Sequence, residues 1–136
     1  MRIQASPWFW LHFAWLISLI GLLGSLFLSE VMKFPPCVLC WYQRIGIYPL
    51  VAVFAVGILR RDPNVSRYAW PLALFGLGMA GYHLLVYYQL IPESITPCTE
   101  GVPCTSRQIE WFGFLTIPLL SLLSFVGIGM CLLRFQ

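Results

Sequence analysis

The sequence contains very few charged residues. Only 10% of its 136 residues are Asp, Glu, Lys or Arg, whereas 60% are hydrophobic. So little charge excludes an ordinary soluble domain, because its polar side chains cannot cover the surface of a folded chain in water. A run of about 20 apolar residues is long enough to cross a bilayer as a helix. Four such runs predict membrane spans at residues 8–28, 41–59, 68–91 and 111–133.

The sequence also lacks the strict apolar–polar alternation of a membrane β-strand, and it has no internal repeat or linker. We therefore predict an all-α membrane protein, a four-transmembrane-helix bundle that forms a single domain over residues 1–136. The first run follows Arg2 as a signal peptide would, but it is too long and precedes no small-x-small cleavage site. We expect this helix to be retained.

The basic residues are distributed unevenly between the two sides of the membrane. With four spans, both termini and the loop at residues 60–67 share one side, which carries five basic residues. The other side carries two, apart from Arg44 just inside a span. The positive-inside rule therefore predicts cytoplasmic termini and extracytoplasmic loops at residues 29–40 and 92–110. The net charge of +3 is spread over short loops and indicates no nucleic-acid partner.

Four of the five cysteines form two pairs in the loops predicted to be extracytoplasmic. They are Cys37 with Cys40, in a C-x-x-C motif, and Cys98 with Cys104. Disulfides persist outside the cytoplasm, so both pairs are candidates for thiol–disulfide exchange. Structural disulfides and a four-thiolate zinc site remain as alternatives. Exchange is favoured for two reasons. A disulfide that closes a two-residue loop adds little stability, and the five residues between Cys98 and Cys104 are more than a structural zinc site usually has between paired cysteines.

The context of Cys40 suits a reactive thiol. Pro35 and Pro36 cannot lie inside a helix, so the second span is predicted to begin at or just after Cys40, where helix N–H groups favour a thiolate. Arg44 follows one turn deeper on the same face, and an arginine this close to hydrocarbon either snorkels to the interface or has a function. We expect Arg44 to stabilise the Cys40 thiolate or to bind an oxygen of a cofactor.

Motifs for flavin, haem, iron–sulfur or dinucleotide cofactors are absent from the sequence. A lipid-soluble quinone that reaches the thiols from within the bilayer is therefore the expected electron acceptor. Pro49 and Pro118 each lie about two turns from the outer end of a predicted span, where they either kink a helix or open a cavity. His83 is either a donor to the quinone or a buried core residue. His12 and Cys131 indicate no role.

The segment Cys37-Val-Leu-Cys40-Trp-Tyr-Gln-Arg44, with the four spans and the second cysteine pair, resembles the DsbB family of disulfide-bond formation proteins over essentially the whole chain. The resemblance implies a thiol:quinone oxidoreductase of the bacterial cell membrane. Its partner would be an extracytoplasmic thioredoxin-like thiol oxidase (DsbA/BdbD-like), which it would reoxidise to support disulfide formation in exported proteins. Cys98 would form the mixed disulfide with this partner, and Cys104 would exchange with Cys37. Cys40 would then pass electrons to the quinone beside Arg44.

Two departures from the best-known enterobacterial pattern favour the short, BdbC-like branch of Gram-positive bacteria. Only five residues separate Cys98 from Cys104, and Gln43 stands where an acidic residue is usual. In such an organism menaquinone rather than ubiquinone is the expected quinone. The alternative function is a membrane scaffold or metal-binding protein with structural cysteine loops. An outward electron transporter would need cysteines reachable from the cytoplasm, and only Cys131 lies towards that side.

Overall fold

The computed structural model describes the backbone of residues 6–33, 38–92, 110–111 and 115–136, and the side chains of residues 6–33, 38–92 and 116–136. Cys37, Cys98 and Cys104 lie outside the described residues.

Each of the four predicted spans is a helix. All four are long and apolar enough to cross a membrane, with 25, 23, 23 and 19 residues, where about 20 are needed. The prediction of an all-α membrane protein with four transmembrane helices is confirmed. The elements are α1 (Pro7–Leu26), its π-helical continuation π1 (Phe27–Val31), α2 (Val38–Arg60), α3 (Val65–Tyr87), the short strands β1 (Glu110–Trp111) and β2 (Leu115–Thr116), and α4 (Ile117–Phe135).

The second and third helices differ from their predicted bounds by a few residues. α2 is described from Val38, so Cys40 is its third residue and lies inside the helix rather than before it. α3 begins at Val65 instead of residue 68. It ends at Tyr87 instead of residue 91, because Gln89 has a φ of 61°, which a right-handed helix does not contain.

The predicted start of the fourth helix at Trp111 is wrong. Trp111 lies in β1, which pairs antiparallel with β2, and α4 begins at Ile117. Thr116 caps the helix, since its hydroxyl oxygen accepts a hydrogen bond from a first-turn N–H at 3.4 Å. Pro118 is therefore in the first turn, where it removes no helical hydrogen bond, and not two turns inside the helix as predicted.

The helices form a bundle in which each one packs against two others. α1 contacts α2 and α4, and α3 contacts the same two helices. Large apolar side chains that are almost fully buried build the core between them, among them Leu11, Leu50, Phe54, Phe125 and Ile128. Many other large apolar side chains are exposed on the outward faces, as expected where lipid surrounds a bundle.

Close packing of α3 against α4 requires a glycine at position 76. A Cβ built on Gly76 would overlap the ring of Phe125. We expect Gly76→Ala to lower the free energy of unfolding by about 1–3 kcal/mol, the usual cost of overpacking a core. A lower midpoint of thermal unfolding in detergent would report this loss. Gly81→Ala is the matched control, because nothing lies within 4 Å of a Cβ there, and equal midpoints for the two variants would contradict the packing.

Candidate functional site

A cavity of about 320 Å³ lies between the C-terminal part of α1 with π1, the N-terminal part of α2 and the N-terminal part of α4. This volume lies within the range of about 300–1,000 Å³ that is usual for small-molecule sites, and a mostly apolar wall with a few polar groups is typical of them. The larger apolar side chains of the wall are Ile20, Leu28, Ile47, Ile117, Leu120 and Phe125. The polar ones are Ser25, Ser29, Cys40, Gln43, Arg44, Ser121 and Ser124.

The cavity opens sideways between α1 and α4. Ile20 and Leu120 both line it, yet they are 68% and 46% exposed on the outside of the bundle. Gly24 also lines it, and a Cβ at this position would meet nothing within 4 Å. Within the described part of the chain, the cavity is therefore open on an outward face of the bundle.

Cys40 lies in the wall of the cavity at the beginning of α2. It is the third residue of the helix as described, and it is partly buried. The first N–H groups of a helix have no carbonyl partner within the helix, and the helix dipole is positive at this end. A helix N-terminus is a favourable place for an anion, and the thiolate is the form of cysteine that attacks disulfides.

Arg44 lies one turn deeper on α2, in the same cavity wall, and is only 9% exposed. Its Nε donates a hydrogen bond to Ser25 Oγ at 2.7 Å, and its Nη2 donates one to the Ser25 carbonyl oxygen at 2.9 Å. The guanidinium also lies over the ring of Trp41, 5.1 Å from its centroid. None of these partners within the described chain is acidic, so a buried positive charge remains that attracts an anion or a carbonyl oxygen.

Gln43 and His83 form a buried pair between α2 and α3, with exposed fractions of 7% and 3%. Gln43 Nε2 donates a hydrogen bond to His83 Nδ1 at 2.9 Å, which requires an imidazole with no hydrogen on Nδ1. Gln43 lines the cavity, whereas His83 is not among the described side chains that do. A direct contact of His83 with a quinone remains a prediction, and in this geometry His83 contacts the cavity wall through Gln43.

The remaining candidates from the sequence are not among the residues that line the cavity. Cys131 is buried in the core, and exposed His12 donates a hydrogen bond from Nδ1 to the carbonyl of Trp8 at 2.7 Å. Neither Pro49 nor Pro118 lines the cavity. In the part of the chain that the structure describes, no three His, Cys, Asp or Glu side chains are arranged to hold a metal, although the zinc alternative depends mainly on cysteines outside that part.

Two contacts of this site were not predicted from the sequence. Ser25 is a small polar residue within an apolar run, and such serines are common in membrane helices, so its contact with Arg44 has no clear sequence signal. In the sequence, Gln43 is distinguished only by standing where the related family pattern usually has an acidic residue. Its position three residues after Cys40 predicts that the two share a helical face, but not that Gln43 pairs with His83.

Comparison with known proteins identifies the family of this chain. The sequence matches the family of disulfide bond formation protein DsbB over residues 7–135. It is 45% identical over 128 residues to disulfide bond formation protein C of Bacillus subtilis (strain 168), covering 91% of each chain. A probable disulfide formation protein C 1 of Bacillus anthracis is 42% identical over 118 residues, 87% of this chain and 85% of that one. A probable disulfide formation protein of Metapseudomonas resinovorans is 42% identical over 136 residues, 98% of this chain and 94% of that one. No solved structure matches the chain. The chain therefore belongs to the DsbB family of disulfide bond formation proteins, and it is a membrane protein with a role in disulfide oxidation.

Proposed function

We propose that this protein is a membrane thiol:quinone oxidoreductase that reoxidises an extracytoplasmic thioredoxin-like thiol oxidase (DsbA/BdbD-like). The observation that carries the proposal is the cavity, which has the thiol of Cys40 and the guanidinium of Arg44 in one wall. A thiolate is the electron donor that this chemistry requires. A buried, preoriented cation stabilises an acceptor oxygen as negative charge develops on it.

The residues around the cavity fit a quinone, whose ring is flat, uncharged and apolar apart from its two polar carbonyl oxygens. The apolar wall suits the ring of either menaquinone or ubiquinone, with Ile47 and Phe125 as packing residues. Arg44 and Gln43 supply N–H donors for a carbonyl oxygen. When bound, a quinone accepts two electrons and two protons and becomes a quinol. The opening beside Gly24 towards the lipid suits a ligand that is dissolved in the bilayer.

The thiol side of the reaction is a series of thiolate attacks on disulfides, each of which breaks one S–S bond and forms another. A thiolate of the reduced partner attacks the Cys98–Cys104 disulfide, and Cys98 forms the mixed disulfide. The partner's second thiol then resolves this bond, so the partner leaves oxidised. Cys104 attacks Cys37 and frees Cys40 as a thiolate, and attack of Cys98 on Cys104 restores the outer disulfide. The two electrons now reside on Cys37 and on Cys40, and Cys40 lines the cavity.

The direction of this transfer depends on the orientation of the bundle in a bacterial cell membrane. Both termini and the loop at residues 60–67 carry most of the basic residues, which supports cytoplasmic termini. Both cysteine loops then face the extracytoplasmic side, where a secreted oxidase acts and where disulfides persist.

Anaerobic mixing tests the donor, the acceptor and the direction together. Purified protein in detergent is mixed with the reduced form of a thioredoxin-like oxidase and a short-chain quinone, and quinone absorbance is followed. We expect the quinone to be reduced in step with oxidation of the partner. Stoichiometric zinc in the purified protein, without quinone reduction, would instead support a metal-binding scaffold.

A larger side chain at the opening of the cavity tests whether the quinone binds there. A Cβ at Gly24 meets nothing within 4 Å, and Gly24 lines the cavity, so we expect a leucine there to be accommodated and to take up space at the opening. We expect Gly24→Leu to lower the rate of quinone reduction at least about fivefold, while thiol exchange with the partner is retained. Gly78→Leu is the matched control, an exposed glycine with the same open surroundings on α3, away from the cavity. Equal rates for both variants would place the quinone elsewhere.

A further inference from the structure

Ser25 holds Arg44 with two different atoms. The Oγ of this half-buried residue on α1 accepts from Arg44 Nε at 2.7 Å, and its carbonyl oxygen accepts from Nη2 at 2.9 Å. A carbonyl oxygen has two lone pairs, so this bond is compatible with a helical one. Two parallel bonds to one residue fix the direction and the rotation of a planar guanidinium, which one bond does not.

The other surroundings of the Arg44 guanidinium add to its contact with Ser25. Trp41 covers one face, 5.1 Å from the ring centroid. Ser25 takes the Nε hydrogen and one Nη2 hydrogen, which leaves three of the five N–H donors, two on Nη1 and one on Nη2, outside these contacts. A long arginine side chain near a membrane surface otherwise extends its charged end towards water. Ser25 therefore opposes this tendency and keeps the charge at the level of the cavity.

We propose that Ser25 is the positioning residue of Arg44 and that it sets the affinity of the cavity for the quinone. This inference rests on the proposed function. Ser25 is not required to react with anything, because it acts by holding the guanidinium in one orientation, with its remaining N–H donors available to a ligand oxygen. Its loss is expected to weaken quinone binding more than it slows the thiol steps, which take place at the cysteines.

Ser25→Ala removes the Oγ acceptor and leaves the carbonyl acceptor in place. We expect the KM for a short-chain quinone to rise about tenfold, the scale of one hydrogen bond to a charged group, while kcat changes less than about threefold. Ser25→Thr keeps a hydroxyl and is expected to restore the KM to within about twofold of the unmodified protein. Ser18→Ala is the matched control, since Ser18 is a serine of the same helix that donates its hydroxyl hydrogen to the Trp15 carbonyl at 2.8 Å and does not line the cavity.

The contact itself can be observed without turnover. In protein labelled with ¹⁵N-arginine, the Nε–H group of Arg44 should give a resonance protected from exchange with water, because it is buried and hydrogen-bonded. Its loss in Arg44→Lys assigns the signal. We expect Ser25→Ala to shift this resonance and to speed its exchange, and Ser18→Ala to leave both unchanged.

The outcomes separate this inference from the proposed function. An unmodified protein that reduces quinone, with a Ser25→Ala variant whose KM and Arg44 resonance are unchanged, would overturn the role of Ser25 alone. A changed resonance with an unchanged KM would also overturn it, because the contact would then have no effect on affinity. An unmodified protein that reduces no quinone would overturn the proposed function, and this inference with it.

Discussion

Cys40→Ser is expected to stop electron transfer to the quinone and to leave the partner oxidase reduced. The rate of quinone reduction should fall by at least about 100-fold, because a serine hydroxyl forms no disulfide and does not ionise near neutral pH. Cys40 is the cysteine that lines the cavity, so no other described thiol can substitute for it at that position. The measurement is quinone absorbance during anaerobic mixing with the reduced partner, together with the redox state of the partner in cells.

Cys131→Ser is the control for this variant. Cys131 is a buried core residue of α4 that does not line the cavity, so its replacement should leave the rate of quinone reduction nearly unchanged once the protein has folded. A partner that stays oxidised in cells expressing Cys40→Ser would refute the relay. A loss of activity of equal size in both variants would indicate that folding, rather than chemistry, accounts for it.

The helices could be predicted from the sequence because hydrocarbon imposes a length and a composition on every span. The beginning of α4 could not be predicted in the same way. Residues around Trp111 are as apolar as those of the helix, and a short apolar run suits a strand as well as a helix. The deciding signals were local, namely the Thr116 cap and Pro118 in the first turn.

The alignment of Cys40 with Arg44 could also be predicted, because residues four apart share a face of a helix. The structure has both side chains in one cavity wall. The contacts that the sequence did not predict cross between helices. The contact of Ser25 with Arg44 and that of Gln43 with His83 depend on how α1 and α3 are rotated against α2, and this rotation results from packing of the whole bundle.

The cavity likewise has no recognisable sequence motif, because it too depends on how separate helices pack together. Its walls come from α1, α2 and α4, and Gly24 contributes by having no side chain where the bundle opens to lipid. Near the middle of these helices, a Cβ on Gly127 of α4 would lie 3.3 Å from Ile17 of α1, so the two helices are packed closely there. The lining residues that the structure describes on α1 and α4 all lie on the Cys40 side of this contact.

Arg44→Ala is expected to separate the two halves of the reaction. Without the guanidinium, an oxygen in the cavity loses its charged donor, and removal of one preoriented donor typically costs about 100-fold or more in rate. We expect a fall of this size in quinone reduction, with less than about a threefold change in exchange between the Cys98–Cys104 pair and the partner. Arg44→Lys keeps the positive charge but not the planar pair of bonds to Ser25, so it should recover only part of the loss. Both rates are measured in the same anaerobic experiment, with the partner's redox state as the second signal.

Arg134→Ala provides the matched control for Arg44→Ala. Arg134 also lies over a tryptophan, 5.9 Å from the ring centroid of Trp10, but it is exposed in the last turn of α4 and does not line the cavity. Its replacement should leave both rates within about twofold, because an exposed charge near a ring contributes little. Equal losses of both rates in Arg44→Ala would place the action of Arg44 on the thiol side, at the Cys40 thiolate rather than at the quinone. An unchanged rate of quinone reduction would remove Arg44 from the site altogether, since a buried cation facing a bound oxygen cannot be lost without effect.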